Sequence, residues 1–192
     1  MWFKAYGGRY RIYLKNIIGN RKAPHDMRSN IQIRMAAPND ASAVASVLHE
    51  SFIEYESFYT REGFDATTPA SDQVLKRMEE GPVWVALKDG AIVGTVSAVA
   101  KGEALYIRGM GIIPAARGER IGELLLTRID SFASERGFKR LFLSTTPFLN
   151  RAIRLYENFG FKRCDEGPHE LFGTPLFTMV KILESFDNEV RT

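Results

Sequence analysis

The feature that most constrains the fold is the run Met110-Gly111-Ile112-Ile113-Pro114-Ala115-Ala116-Arg117-Gly118-Glu119-Arg120-Ile121-Gly122, which reads as a strand, a short loop and a helix. The apolar strand from Ile107 to Ile113 stops at Pro114, and small residues carry the turn. Gly118 and Gly122 sit where a helix begins and let a ligand approach the backbone closely. Ile121, Leu124, Leu125, Ile129, Phe132 and Ala133 then fall on one stripe, so this helix is pinned to a core through one face. A pinned N-terminus presents unpaired N–H groups and the positive end of the helix dipole, which suit a phosphate or pyrophosphate. Arg117 and Arg120 add full charges beside it. Taken alone, the loop serves equally as an anion site or as an ordinary turn with a solvated face.

A pinned helix needs a core, and 192 residues that are 45% hydrophobic and 26% charged suit one soluble domain. Cys164 is the only cysteine, which excludes an intrachain disulfide framework and fits a cytoplasmic setting; we expect a small core hydrophobe rather than a nucleophile. The net charge of +3 is unevenly placed. Residues 1–30 carry Lys4, Arg9, Arg11, Lys15, Arg21, Lys22 and Arg28 against Asp26 alone, for +6, which leaves the remainder at −3. The basic pI is therefore no argument for nucleic-acid binding by the body of the chain. Residues 1–30 contain no apolar run fit to span a membrane or to act as a secretory segment. They are expected to be a flexible basic extension, with Met27 a candidate natural start. An organelle-targeting peptide and a basic arm for RNA or anionic lipid are the competing readings. His25, His49 and His169 have no spacing that suggests a metal site.

From Ile31 the alternation of Ile31, Ile33 and Met35 predicts a half-buried strand. Pro38-Asn39-Asp40 opens a helix with the stripe Ala43, Val44, Val47, Leu48 and Phe52, and the acidic-aromatic run Phe52 to Thr60 continues into a further helical segment and a loop. Ser71 to Glu80 is a short helix ending at Gly81-Pro82. Val83–Leu87, Asp89-Gly90 and Ile92–Val99 make a hairpin by the Asp-Gly signal, and Leu105–Ile113 is the next strand. Gly137 stops the long helix. Leu141–Ser144 follows as a strand, Asn150–Phe159 as a helix capped by Gly160, and Phe161–Cys164 and Leu176–Leu183 as strands. The expected class is α+β: a mixed, mostly antiparallel central sheet flanked by helices, with one parallel pair made by the strand-helix-strand crossover. Residues 31–183 form this single domain, and residues 184–192 a C-terminal tail.

This order, with Arg117-x-x-x-x-Gly122 after an apolar strand and with Asn150 ahead of Leu155-Tyr156-Glu157-Asn158-Phe159-Gly160-Phe161, resembles the GNAT superfamily of acyl-CoA-dependent N-acyltransferases. The resemblance implies that the loop amides of Arg117, Gly118, Glu119, Arg120, Ile121 and Gly122 hold the CoA pyrophosphate. It also implies that main chain at Met110, Gly111 and Ile112, eased into a bulge by Gly109 and Gly111, pairs with the pantetheine. The family's middle glycine is Arg120 here, which predicts an ordinary helical backbone at that place with the side chain projecting outward. Asn150 is a good N-cap type and, by resemblance, a CoA contact. Tyr156 faces the sheet, where a tyrosine either packs or, as the resemblance implies, protonates the departing CoA thiolate.

The implied reaction is direct attack of a primary amine on acetyl-CoA in a ternary complex, without a metal. A base or water relay is also needed. The strand before the loop, Ala104-Leu105-Tyr106-Ile107, offers no carboxylate, so Glu54 is the first candidate, followed by Glu56, Glu103 and His169. The segments Glu54–Thr60 and Asp165–Pro175 are expected to seat the acceptor, their acids and tyrosines suiting a cationic amine. The expected partner is a small-molecule amine, with no nucleic acid and no membrane, and a homodimer is left open. The alternatives are a protein or peptide N-acetyltransferase, a longer acyl donor, and a non-catalytic acyl-CoA-binding module.

Overall fold

A computed structural model describes residues 31–183. The basic extension 1–30 and the tail 184–192 lie outside the described residues. In chain order the elements are β1 (Ile31–Met35), α1 (Ala41–Phe52), α2 (Arg61–Thr67), α3 (Ser71–Glu80), β2 (Val83–Lys88), β3 (Ala91–Lys101), β4 (Ala104–Ile112), α4 (Ile121–Glu135), β5 (Arg140–Thr145), α5 (Asn150–Asn158), β6 (Lys162–Cys164), β7 (Glu170–Leu171), β8 (Thr174–Pro175) and β9 (Phe177–Ile182). Seven strands form the central sheet in the order β1-β2-β3-β4-β5-β9-β6. Only β4 and β5 pair in parallel, because α4 carries the chain across; every other pair in the sheet is antiparallel.

Strand alternation divides the helices between two layers. Trp84 and Ala86 of β2 face one side, where they join Leu105, Ile107, Leu125, Leu126, Ile129 and Leu143 in the larger core. Val83 and Val85 face the other and pack with Val44, Leu48 and Val74 of α1 and α3. The stripe expected on α4 differs at one position: Leu124 is 41% exposed while Leu126 is fully buried. Leu124 lies about 140° of helix rotation from the central Ile129, outside the arc that touches the sheet. On α1, likewise, Ala41 is buried and Ala43 exposed.

Four local features differ from expectation. A separate helix, α2, follows the 3-10 turn Ile53–Phe58, and Thr60 caps it by accepting a hydrogen bond from the Gly63 N–H. The segment read as a plain loop after Cys164 contains the β7–β8 ribbon, which docks on that cap: Thr60 N–H donates to Thr174 Oγ1 at 2.9 Å, and the Thr60 hydroxyl donates to the Phe172 carbonyl at 2.7 Å. Asn150 is the first residue of α5 rather than its cap; Leu149 takes that place and no side chain caps the helix. Cys164 is half-buried at the end of β6, where its sulfur accepts from the Glu166 N–H at 3.4 Å, so it is no core residue.

The largest departure is at the start of α4. Arg120 does not have helical backbone; it sits at φ 61°, ψ 15°, the left-handed region. Gly118 also has positive φ, at 86°. The loop must reverse between β4 and α4 within a few residues, and the second left-handed turn falls on a residue that has a Cβ. The side chain does project outward, to an ion pair with Glu123 at 2.6 Å. A left-handed non-glycine residue costs about 1–2 kcal/mol, and replacing it with glycine returns part of that as unfolded-chain entropy, about 0.4–1 kcal/mol. Arg120→Gly is therefore expected to be as stable as the parent or up to about 1 kcal/mol more stable, whereas Arg120→Ala keeps the strain. Urea denaturation of the two variants side by side checks this, and a glycine variant less stable than the alanine variant contradicts it.

Candidate active site

The parallel ladder between β4 and β5 runs from Ala104↔Arg140 to Ile107↔Leu143 and then stops, although β4 continues to Ile112 and β5 to Thr145. A bulge turns β4 away. Thr95 pairs with Gly111 and Ser97 with Arg108, so Val96 alone opposes Gly109 and Met110. Gly109 takes φ 57° there, and the extra residue bends and twists the strand. Gly111 lets α1 approach: a Cβ on it would lie 2.8 Å from Ser51 Oγ. Between the parted strands opens a cleft of about 690 Å³.

Most of the residues expected from sequence line this cleft: Met110, Gly111 and Ile112 on β4, Arg117, Gly118, Arg120, Ile121 and Gly122 around the start of α4, and Tyr156 on α5. Two left-handed residues followed by a helix N-terminus make a backbone concavity suited to an anion. Glu119 turns away from the cleft to pair with Lys88 of β2 at 2.5 Å, so only its main chain faces the loop. Asn150 is exposed and does not line the cleft.

Tyr156 is 7% exposed, its ring tilted against Phe161 at 5.9 Å. Its hydroxyl donates to the Met110 sulfur at 3.7 Å, a weak acceptor for a buried O–H. Burial, and secondarily Tyr59, pushes this phenol well above the ordinary tyrosine range, so it stays protonated at any pH near neutrality.

Arg117 spends its donors on the protein. It pairs with Glu54, donates from Nη2 to the Ser51 carbonyl at 3.0 Å and from Nε to the Ile112 carbonyl at 3.4 Å. This ties the end of α1 to the end of β4. Glu54, the first sequence candidate for the base, is thus a strut for Arg117 and does not line the cleft. Glu103 pairs with Lys139 at 2.6 Å, and Glu56 and His169 are exposed outside the lining. The carboxylates that do line it are Glu123, paired with Arg120, and Glu170 of β7, which has no ion pair among the described residues.

The two segments expected to seat the acceptor are brought together by the Thr60 hydrogen bonds to Thr174 and Phe172. Beside them Phe148 is packed by Tyr59, Phe58 and Tyr55 at 4.9, 5.3 and 6.3 Å between ring centres. From these segments Tyr55, Tyr59 and Glu170 line the cleft, and arginines join them. Arg77 of α3 and Arg108 of β4 line this part of the cleft. Sequence reasoning missed both, though an arginine inside the apolar run Leu105-Tyr106-Ile107-Arg108 was a usable signal. Among the described residues no cluster of His, Cys, Asp and Glu is placed to hold a metal ion, and no helix is long and apolar enough to cross a membrane.

Comparison with known proteins follows the same geometry. The chain is 29% identical over 139 residues to an uncharacterized N-acetyltransferase of Escherichia coli K12, YjgM, covering 69% of this chain and 83% of that one. It is 33% identical over 85 residues to an N-acetylaspartate synthetase of Danio rerio, covering 43% of this chain and 30% of that one. Its fold matches the paiA N-acetyltransferase of Thermoplasma acidophilum, solved in complex with coenzyme A, with a TM-score of 0.69 at 18% identity over 79% of this chain and 98% of that one. The profile of the Acetyltransferase (GNAT) family matches residues 45–161, and the chain therefore belongs to that family, as an acetyl-CoA-dependent acetyltransferase.

Proposed function

We propose that the protein transfers an acetyl group from acetyl-CoA to the primary amine of a small molecule by direct attack in a ternary complex, with Tyr156 as the general acid. The observation that carries this reading is the parting of β4 and β5, which leaves a slot with the left-handed loop at one end and the Tyr156 hydroxyl beside it. The loop amides from Arg117 to Gly122 suit the pyrophosphate, and the unpaired edge of β4 at Met110 to Ile112 suits the amide-bearing pantetheine. Arg117 serves the site by holding the slot's shape, and Asn150 stands at the rim. The relative from Thermoplasma holds coenzyme A, and the Danio relative is named for an N-acetylated amino acid; both are in keeping with this reading.

In the reaction a C–N bond forms and the C–S bond breaks; the acceptor, an ammonium at neutral pH, gives up two protons, one before attack and one as the amide forms, while sulfur gains one and the other leaves to solvent. Main-chain N–H groups at the bulge polarise the carbonyl, and the remaining catalysis is positioning. Tyr156 supplies the proton to sulfur and is reloaded from solvent. Glu170, directly or through water, takes the proton from nitrogen, replacing Glu54 in that role.

Acetyl-CoA at about 100 times its dissociation constant is expected to raise the melting temperature by roughly 5–10 °C, since it binds only the folded state. ATP and NAD should do less, and equal shifts from all three would remove the CoA reading. Tyr156→Phe should keep that thermal shift and the parent's stability while lowering turnover on the order of 100-fold; an unchanged rate shows that Tyr156 is not the acid. Glu170→Gln should lose on the order of 100-fold at pH 7 and regain it as pH rises toward the amine's own pKa, about 10 for a lysine-like amine. A loss that persists at every pH assigns Glu170 another role. Transfer only to peptides in a mixed acceptor panel would replace the small molecule with a protein acceptor.

A further inference from the structure

In the cleft one guanidinium has no carboxylate partner of its own among the described residues. Arg77 sits on α3 with its Nη2 donating to the Ala66 carbonyl at 2.8 Å, and no carboxylate lies within ion-pair distance of it among the described residues. Arg108, on the strand beneath, pairs with Glu80, and its Nε is buried with no hydrogen-bond partner among the described residues. Two guanidinium groups thus share one carboxylate, and that carboxylate is half-exposed. Burial, and next the neighbouring Arg108, hold the Arg77 guanidinium below its usual range, and a bound anion would offset both by favouring the charged form. A solvated surface would leave such charges to water, but both arginines line the cleft.

Their position relative to the chemistry is narrow. Arg77 Nη1 lies 3.3 Å from where a Cβ on Gly109 would sit. Gly109 is the bulge residue next to Met110, whose sulfur receives the Tyr156 hydrogen bond. Arg77 therefore stands at the bulge where the parted strands open the cleft.

Resting on the acetyltransferase reading, we infer that the acceptor is an amine bearing a carboxylate close to its nitrogen, an amino acid in chemical class, and that Arg77 receives that carboxylate with Arg108 behind it. The planar fork of a guanidinium matches a carboxylate through two parallel N–H···O bonds, which a lysine cannot reproduce. The same two cations repel a polyamine or any acceptor whose only charge is positive. Arg77 is therefore a specificity-determining residue, and the purely structural alternative is that it does no more than tie α3 to the end of α2 through the Ala66 carbonyl.

The test is thiol release from acetyl-CoA with free amino acids and with the corresponding amino-acid amides, on the full chain and on Arg77→Lys and Arg77→Met. In the parent, at least one amino acid should exceed its amide in kcat/KM by about 10- to 100-fold, the range of a charge-assisted hydrogen bond. Both variants should lose that preference through a raised KM for the amino acid, while KM for acetyl-CoA and the rate with the amide stay as they were. A parent that favours amides or carboxylate-free amines over every amino acid overturns the inference, and so does a variant that loses all acceptors equally. Should a variant fail to fold, the parent's comparison alone decides. Failure of the transferase reading looks different: it removes the thermal shift with acetyl-CoA and transfer to every amine, whereas failure of this inference leaves both in place.

Discussion

Backbone hydrogen bonds that β4 and β5 do not make to each other beyond Ile107 and Leu143 are the constraint on which the rest of the structure depends. A parallel pair buried in the middle of a sheet would ordinarily continue to the end of both strands, because unpaired N–H and C=O groups away from water are costly. Here each strand keeps its outer partner, β3 for β4 and β9 for β5, so the sheet survives while its centre opens. The inner edges then face a cleft and present main-chain donors and acceptors to whatever enters it, as an added strand would find them. The bulge at Gly109 and Met110 makes this arrangement geometrically possible, and Gly111 lets α1 close over it.

What keeps the opened sheet in shape is a small set of ties across it. Arg117 bonds to Glu54, to the Ser51 carbonyl and to the Ile112 carbonyl, which joins the end of α1, the end of β4 and the loop before α4. Thr60 joins the start of α2 to the β7–β8 ribbon. In contrast, the Tyr156 hydroxyl is buried against a thioether, a weak partner that contributes little to holding the fold. The Arg120 backbone is likewise strained, held left-handed where the loop enters α4.

Much of this was legible in the residues because it rests on local rules. Alternation predicted the strands, the Asp-Gly pair predicted the β2–β3 hairpin, and glycines at the bulge and the loop marked where backbone had to bend or be approached. Local rules failed where a neighbour distant in the chain decides. Leu124 has the spacing of a core residue, yet the sheet touches the arc around Ile129 instead. Asn150 has the chemistry of a cap, yet the turn before α5 places Leu149 there. Glu54 was the first candidate for the base because the strand before the loop offers no carboxylate; Arg117, far along the chain, pairs with it. The β7–β8 ribbon stayed hidden because two-residue strands have no period to detect and exist only by docking on Thr60.

By itself the sequence determined the class of fold, the one strand-loop-helix unit fit to hold an anion, and the tyrosine facing the sheet, since period, turn residues and a helix N-terminus act within a few residues of each other. Only the tertiary structure decided the left-handed backbone at Arg120 and the presence of two arginines, Arg77 and Arg108, in the cleft. Arg120 is left-handed because β4 and α4 are both anchored and the loop must meet both ends. Arg77 and Arg108 come together because the Glu80 end of α3 reaches Arg108 on β4, a juxtaposition that no spacing along the chain encodes.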